Sequence, residues 1–226
     1  MIGVFDSGDG GLCTVEKIRE LSPKADICFL ADRENAPYGT KCTSEIIKLT
    51  KRNIKLLRAA GADKILIACC SASSIYPTLS EEEKRIAVPI IEATARRAIE
   101  KTKSGRIGVI STLITARSGA FERKIKELLP SATVYTEPTQ ELVTLIERGA
   151  SDRNLRTRTK EKIEKALSRI KQYPFDTLIL GCTHFPRLEN TISEIIGTDT
   201  VSSALEGAKE ILKKADGEGE GKIIFL

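Results

Sequence analysis

The sequence predicts an α/β protein built as two pseudo-symmetric α/β domains, each with a mainly parallel central sheet, facing one another across a cleft. Three observations carry that expectation. Short apolar runs alternate with amphipathic stretches, the pattern of parallel strands joined by crossover helices. Gly3-Val4-Phe5-Asp6-Ser7 is echoed 105 positions later by Gly108-Val109-Ile110-Ser111-Thr112. Ile65-Leu66-Ile67-Ala68-Cys69-Cys70-Ser71 is echoed 113 positions later by Leu178-Ile179-Leu180-Gly181-Cys182-Thr183. Each half thus opens with a strand and polar turn, and later presents a strand that ends in cysteine followed closely by a hydroxyl residue.

Taken in order, Ile2 to Phe5 reads as the first strand, ending in the turn Asp6-Ser7-Gly8-Asp9-Gly10-Gly11. A helix follows to about Leu21, where Pro23 enforces a stop. Ile27 to Leu30 is a second strand. Ile47, Ile54 and Leu57 have helical spacing within a helix from Ser44 to Ala60, and Gly61 supplies its C-terminal stop. Lys64 to Ala68 is a third strand leading into Cys69. A short helix near Glu81 to Arg85 precedes an extended segment from Ala87 to Ile91. The second half reads as strand Arg106 to Ile110, helix Ser118 to Leu129 and strand Ala132 to Tyr135. Helices Glu141 to Arg148 and Asn154 to Lys171 follow, and strand Thr177 to Leu180 leads into Gly181-Cys182. A helix from Ala204 to Lys214, a loose glycine-rich stretch over 216–221 and a last strand, Lys222 to Phe225, complete the chain. The expected domains are residues 1–93 with 203–226, carrying Cys69, and residues 94–202, carrying Cys182. Crossings are expected near Ala93–Thr94 and Val201–Ser203, with the last strand returning to the first sheet.

Composition excludes several function classes. Of 226 residues, 41% are apolar and 30% charged, ordinary for a soluble globular chain that buries a sizeable core. The net charge of +5 is spread along stretches such as Lys48, Lys51, Arg52 and Lys55 that read as solvated helix faces. With no basic block interleaved with aromatics and no Trp, a nucleic-acid partner is not expected. The N-terminus has neither a basic lead nor a long apolar run, so neither a signal peptide nor a membrane span is expected. Six cysteines in a chain of this length do not make a small disulfide scaffold, and no CxxC pair opens a zinc site. Reduced thiols in a cytoplasm are the simplest account. The Gly8-x-Gly10-Gly11 stretch is too generic to claim a dinucleotide, and no GK[ST] supports a phosphate loop.

Ligands of open α/β sheets bind outside the carboxyl ends of strands. Two halves facing each other therefore put Cys69 and Cys182 on opposite walls of one cleft. Inverting a stereocentre that bears hydrogen needs a base on one face and an acid on the other, and a thiolate–thiol pair supplies both, with roles exchanged for the reverse reaction. A helix N-terminus or nearby cation would lower a thiol's pKa. His184, the only histidine, lies two residues beyond Cys182 and is placed to shuttle or stabilise its proton. Asp6 is placed to do the same for Cys69. Other readings remain open on these residues alone. A cysteine after an apolar strand is usually an inert buried thiol, and Asp6-Ser7 before glycines is also a helix-capping turn. A cysteine hydrolase using Cys182 and His184 leaves the second cysteine and the repeat unexplained. Cys13, Cys28 and Cys42 belong to no motif and are assigned to packing.

The motifs resemble, in order along nearly the whole chain, those of the glutamate racemase family. Gly3-Val4-Phe5-Asp6-Ser7-Gly8-x-Gly10-Gly11-Leu12 resembles the family's opening, and Asn35-Ala36-Pro37-Tyr38-Gly39 its next signature. Ala68-Cys69-Cys70-Ser71-Ala72-Ser73 and Gly181-Cys182-Thr183-His184-Phe185-Pro186 resemble its two cysteine motifs. Gly108-Val109-Ile110 with Thr112, Thr115 and Arg117-Ser118-Gly119 resembles the opening of its second domain, and Leu145-Ile146-Glu147-Arg148-Gly149 its acidic segment. The resemblance implies a cytoplasmic isomerase that interconverts L- and D-glutamate with no pyridoxal phosphate, metal or other cofactor, and whose product feeds peptidoglycan synthesis and hence cell shape. It implies Cys69 and Cys182 as acid–base residues, helped by Asp6, His184 and Glu147. It implies Asp6, Ser7, Pro37, Tyr38, Gly39, Cys70, Ser71, Thr115, Thr183 and His184 around a small acidic amino acid. Family members are commonly dimers, which makes a homodimer an expectation by resemblance.

The chain departs from the family pattern in four places. Cys70-Ser71 stands where Asn-Thr is usual, replacing a carboxamide by a thiol. Asp9 adds a negative charge in the glycine turn, near the expected dianionic substrate. Ala93-Thr94 replaces a frequent Pro-Gly pair, and the C-terminal region is shorter. These departures leave open a racemase for aspartate or another small acidic amino acid, or an acidic-ligand binding protein with weak or lost turnover.

Overall fold

The computed structural model describes residues 1–147, 156–215 and 218–226. The strands are β1 (Ile2–Asp6), β2 (Ile27–Ala31), β3 (Lys64–Ile67), β4 (Ala87–Pro89), β5 (Arg106–Ser111), β6 (Thr133–Pro138), β7 (Thr177–Gly181), β8 (Asp199–Ser202) and β9 (Ile223–Phe225). They form two sheets, with orders β4-β3-β1-β2-β9 and β6-β5-β7-β8, and every pairing is parallel. Reading the second order backwards exposes the internal repeat. β5 takes the place of β1, β6 of β2, the cysteine strand β7 of β3, and β8 of β4. The C-terminal β9 returns to the first sheet and pairs with β2.

The helices are α1 (Leu12–Leu21), α2 (Thr43–Ala59), α3 (Cys70–Ser73), α4 (Glu81–Ile86), α5 (Ile90–Lys101), α6 (Leu113–Ser118), α7 (Ala120–Leu128), α8 (Gln140–Glu147), α9 (Arg156–Leu167), α10 (Glu189–Ile196) and α11 (Ser203–Lys214). Strand alternation sends β1 side chains to two cores. Ile2 and Val4 enter a core that also holds Ile107, Val109 and Ile179 of the second sheet, joined through Ile91, Ala95 and Ala98 of α5 and Ala208 and Ile211 of α11. Phe5 enters a second core beneath α2, with Leu30, Ile46, Leu49, Ile54, Leu57 and Ile65. A third core lies beneath α8, α9 and α10, around Leu142, Ile163, Leu178, Leu180 and Ile192. The shared core fixes the two sheets relative to each other, and so fixes the cleft between their strand ends.

Several elements differ from the sequence reading. Ile90 and Ile91 read as the end of an extended run, yet they begin α5, which runs unbroken through the expected crossing at Ala93–Thr94. Its buried positions Ile90, Ile91, Ala93, Thr94, Ala95 and Ala98 fit a helix, but small alanines make up half of them. The single helix expected over Ser118–Leu129 is broken at Gly119, whose φ of 61° ends α6 and starts α7. β8 and α10 were not expected at all. The β8 sequence Asp199-Thr200-Val201-Ser202 offers one buried apolar residue on an edge strand, which leaves no apolar run to read. Residues 148 and 154–155, included in the expected second-half helices, and residues 216–217 of the loose stretch lie outside the described residues. Cys28 is packed in the core, as assigned, but Cys42 is exposed, because it precedes the first turn of α2 rather than facing a sheet.

Candidate active site

Both cysteines sit just past the carboxyl ends of equivalent strands: Cys182 directly follows β7, and Cys69 follows β3 with Ala68 between. Both are buried, and they line one cavity. Its walls come from both halves. Ser7, Gly8, the 36–39 loop, Cys69, Cys70 and Ser71 belong to the first, and Thr112, Gln140, Val143, Glu147, Cys182, Thr183 and His184 to the second. The cavity measures about 20 Å³, room for roughly one water. An amino acid enters only when the walls separate. A larger groove of about 630 Å³, walled by Lys17, Arg97, Lys101, Arg187 and Lys209 among others, contains neither of these two cysteines.

Each thiol has its own polar partner. Cys69 Sγ donates to Ser7 Oγ at 3.4 Å. Cys182 Sγ lies 3.6 Å from His184 Nδ1, and His184 Nε2 lies 3.5 Å from Glu147 Oε1, so Cys182, His184 and Glu147 form a line running outward. Asp6 is fully buried beneath the cavity. Its carboxylate accepts from Gly8 N–H at 2.9 Å and from Thr183 Oγ1 at 3.1 Å, the latter crossing between the halves. The sequence reading paired Asp6 with Cys69; in the structure Ser7 holds that thiol, and the direct partner of Asp6 is the residue beside Cys182.

The electrostatics depart from expectation. Burial pushes the Cys69 thiol up to about 11, with the charge of Asp6 adding and the Ser7 hydroxyl opposing. Burial also raises the Cys182 thiol, against a backbone N–H from His184 and with the charge of Cys69 adding. Burial likewise raises Asp6, opposed by the charge of His184 and by its hydrogen bonds. The expected lowering of the thiols does not occur, for two reasons. Cys69 precedes a single helical turn and Cys182 a 3₁₀ turn at Phe185–Leu188, so neither meets a long helix. Among the described lining residues there is also no Lys or Arg. Donors here are hydroxyls, thiols, backbone N–H groups, the Gln140 amide and His184.

The remaining expected residues are placed as follows. Ser71, Thr112 and Thr115 form a hydroxyl cluster across the halves, with Ser71 Oγ 2.9 Å from Thr112 Oγ1 and 3.3 Å from Thr115 Oγ1. Thr112, not Thr115, reaches the cavity wall, because it caps α6 while Thr115 lies one turn inside. Pro37 is exposed at the rim, and Tyr38, fully buried, is part of the wall. Cys70 lines the cavity and also packs in the shared core; burial raises its thiol, and the charges of Cys182 and Cys69 add to that. Asp9 is not turned toward the cavity. It is exposed and paired with Arg33 at 2.7 Å, so its charge is compensated outside. Gln140 was missed by sequence reading. Its Oε1 accepts from Leu113 N–H at 3.3 Å, and a Cβ on Gly39 would lie 2.7 Å from it. A lone Gln opening a helix carries no sequence signal for that contact.

The Asp/Glu/Hydantoin racemase family model matches residues 13–211. The chain belongs to this family. Among relatives of this racemase, the glutamate racemase of Aquifex aeolicus is 34% identical, over 98% of this chain and 86% of the relative. That of Persephonella marina is 36% identical, over 99% and 87%. A crystal structure of a glutamate racemase isoform from Bacillus anthracis superposes with a TM-score of 0.89 at 30% identity, covering 100% of this chain and 86% of the other. The Francisella tularensis glutamate racemase in complex with D-glutamate also gives 0.89, at 29% identity over 99% and 86%. The two-domain parallel α/β architecture is therefore that of glutamate racemases, and the enzyme is an amino-acid racemase, an isomerase. Among its described residues no helix is long and apolar enough to cross a membrane, and no group of three or more His, Cys, Asp or Glu side chains is placed to hold a metal ion.

Proposed function

We propose that the enzyme interconverts L- and D-glutamate without a cofactor, with Cys69 and Cys182 as the two acid–base groups. The observation that carries this reading is the pair of buried thiols on equivalent strand ends, lining one cavity from two halves. In one direction a thiolate removes the Cα proton from one face, leaving a planar carbanion, and the opposite thiol delivers its proton to the other face. The thiolate and thiol have then exchanged roles, and the reverse reaction uses the same pair. His184, supported by Glu147, serves the proton balance of Cys182. Asp6 anchors Thr183 and Gly8 around both thiols. Ser7, Pro37, Gly39 and the backbone of Tyr38, with Cys70, Ser71, Thr112, Thr183 and His184, surround the substrate, while Thr115 supports Ser71 and Thr112 from behind. The proposed domains are residues 1–93 with 203–226 and residues 94–202, α5 being the connection that both share. D-glutamate made in the cytoplasm would supply peptidoglycan synthesis. A circular dichroism assay with both enantiomers of glutamate and aspartate and no added cofactor tests the reading; absence of optical change with every one of them defeats it.

The raised thiols set the pH dependence. At neutral pH both are predominantly protonated in the closed enzyme, and turnover needs one thiolate. The catalytic base is the deprotonated form of a group whose pKa lies above the assay range, so its population grows as pH rises. Initial kcat/KM for L-glutamate is therefore expected to climb between pH 6.5 and 8.5, by up to about tenfold per pH unit. A flat or falling profile over that range would mean a thiolate already formed at neutral pH.

Cys70 is the departure closest to the chemistry. A thiol is a weaker hydrogen-bonding group than the carboxamide usual at this position. One contact to a charged substrate group is worth about 10- to 150-fold in binding. Cys70→Asn is expected to improve kcat/KM on L-glutamate relative to L-aspartate. Unchanged ratios would leave Cys70 as a packing residue, in keeping with its place in the shared core.

A further inference from the structure

We propose that Asp32 is a positioning residue of this active site, anchoring the 37–39 loop that forms one wall of the cavity. The proposal rests on the racemase reading above and adds to it a residue outside the cavity. Asp32 follows β2 directly, and its N–H donates to the carbonyl of Asp6 at 3.0 Å, so it is tied to the strand end beneath the thiols. Its buried carboxylate collects four side-chain donors. Tyr38 Oη donates to Oδ2 at 2.5 Å and Asn53 Nδ2 to the same oxygen at 3.1 Å; Asn35 Nδ2 donates to Oδ1 at 2.7 Å and Arg52 to Oδ1 at 2.8 Å.

The cost of that arrangement argues for a purpose. Asn53 occupies the buried face of α2 with Ile46, Leu49, Ile54 and Leu57, where an amide sits among apolar side chains. It is satisfied on both sides: its Nδ2 also donates to Tyr38 Oη at 3.1 Å, closing a ring of three groups, and its Oδ1 accepts from Arg52 Nε at 3.1 Å. A Leu at 53 and a Phe at 38 would make a simpler core. What the polar ring secures is the loop. Ala36 and Pro37 are exposed and Tyr38 is the only side chain of 36–39 to be buried, edge-on to Phe5 at 6.0 Å. The Tyr38 hydroxyl is committed to Asp32, which leaves the backbone of Tyr38 and Gly39 as the loop's polar face toward substrate. Gly39 also meets Gln140 and Thr112 of the other half, so a loop set loose would blur both the substrate contact and the closure.

The test compares wild type, Asp32→Ala, Asp32→Asn and Tyr38→Phe in steady-state racemisation and in amide hydrogen exchange. Asp32→Ala should raise KM for glutamate about tenfold or more while kcat stays within about threefold, and should accelerate exchange at residues 38–41. Asp32→Asn, which keeps one acceptor oxygen, should recover part of the KM. Tyr38→Phe removes a single hydroxyl and should show the same KM-weighted change at smaller size; it and Asp32→Asn decide the matter if Asp32→Ala does not fold. Unchanged KM in folded variants, or equal losses in kcat and KM with exchange accelerated across the whole first half, would overturn the proposal. If wild-type enzyme racemised no acidic amino acid, the functional reading would fall by itself. Exchange at residues 38–41 would then still judge the anchor, and unaltered exchange in Asp32→Ala would reject it.

Discussion

Cys69→Ser and Cys182→Ser are each expected to lose racemisation by about 10²- to 10⁴-fold, the range for removal of a positioned acid–base group. A serine hydroxyl is isosteric with the thiol but does not ionise near neutral pH, so the variants should fold with unchanged Tm. The loss should not extend to every proton transfer. Each single variant keeps one thiol against one face of the substrate, and in D₂O that thiol should still exchange the Cα hydrogen of one enantiomer. Cys69→Ser and Cys182→Ser should therefore show opposite enantiomer preferences for deuterium wash-in, read by NMR. Wild-type-like racemisation by either variant excludes the two-thiol mechanism, and the same wash-in preference in both would put the thiols on one face. That Cys69 and Cys182 line one cavity from the two halves supports a facing pair.

Gly10→Ala is the second substitution with a large expected effect. An added Cβ would lie 2.6 Å from Thr183 Oγ1, 2.8 Å from His184 Nδ1 and 2.9 Å from His184 Cε1. None of these atoms is the free end of a long side chain. Thr183 is held by Asp6, and His184 sits between Cys182 and Glu147. The methyl group must therefore push the 183–184 segment away from the first half. A displacement of about 1 Å in a catalytic constellation costs on the order of 10²-fold in rate, and that is the expected fall in kcat/KM, with kcat falling too. Kinetics together with a thermal melt check it. Full activity would mean that the two halves do not approach as closely in solution, and a collapse of Tm with proportional loss of activity would trace the effect to folding instead. The glycine turn, which in sequence reads equally well as a helix cap, is in the structure the place where one half leaves room for Thr183 and His184 of the other.

Strong periodic signals carried the reading of the fold. The apolar runs of β1, β3, β5 and β7 are buried on both faces, and parallel strands of that kind announce themselves whatever their neighbours do. The repeat of a strand, a polar turn and a strand ending in cysteine determined that the halves correspond, and it brought Cys69 and Cys182 forward from six cysteines. Edge elements stayed hidden. β8 buries only Val201 among polar neighbours, and α5 packs largely through alanines, so neither writes an apolar pattern into the chain.

Residue types and their order along the chain thus determined the fold class, the pseudo-symmetry and the identity of the candidate acid–base groups. The tertiary structure decided which partners those groups have. Ser7 rather than Asp6 bonds to Cys69, Asp6 reaches across to Thr183, Thr112 supplanted Thr115 at the wall, and Asp9 turned outward to Arg33. It also decided the sign of the thiol shifts. Local sequence offered a turn toward a helix, which lowers a pKa, whereas closure of two halves over the thiols removes water and raises it. Desolvation depends on everything packed around a group, including residues more than a hundred positions away, and no local pattern encodes that sum.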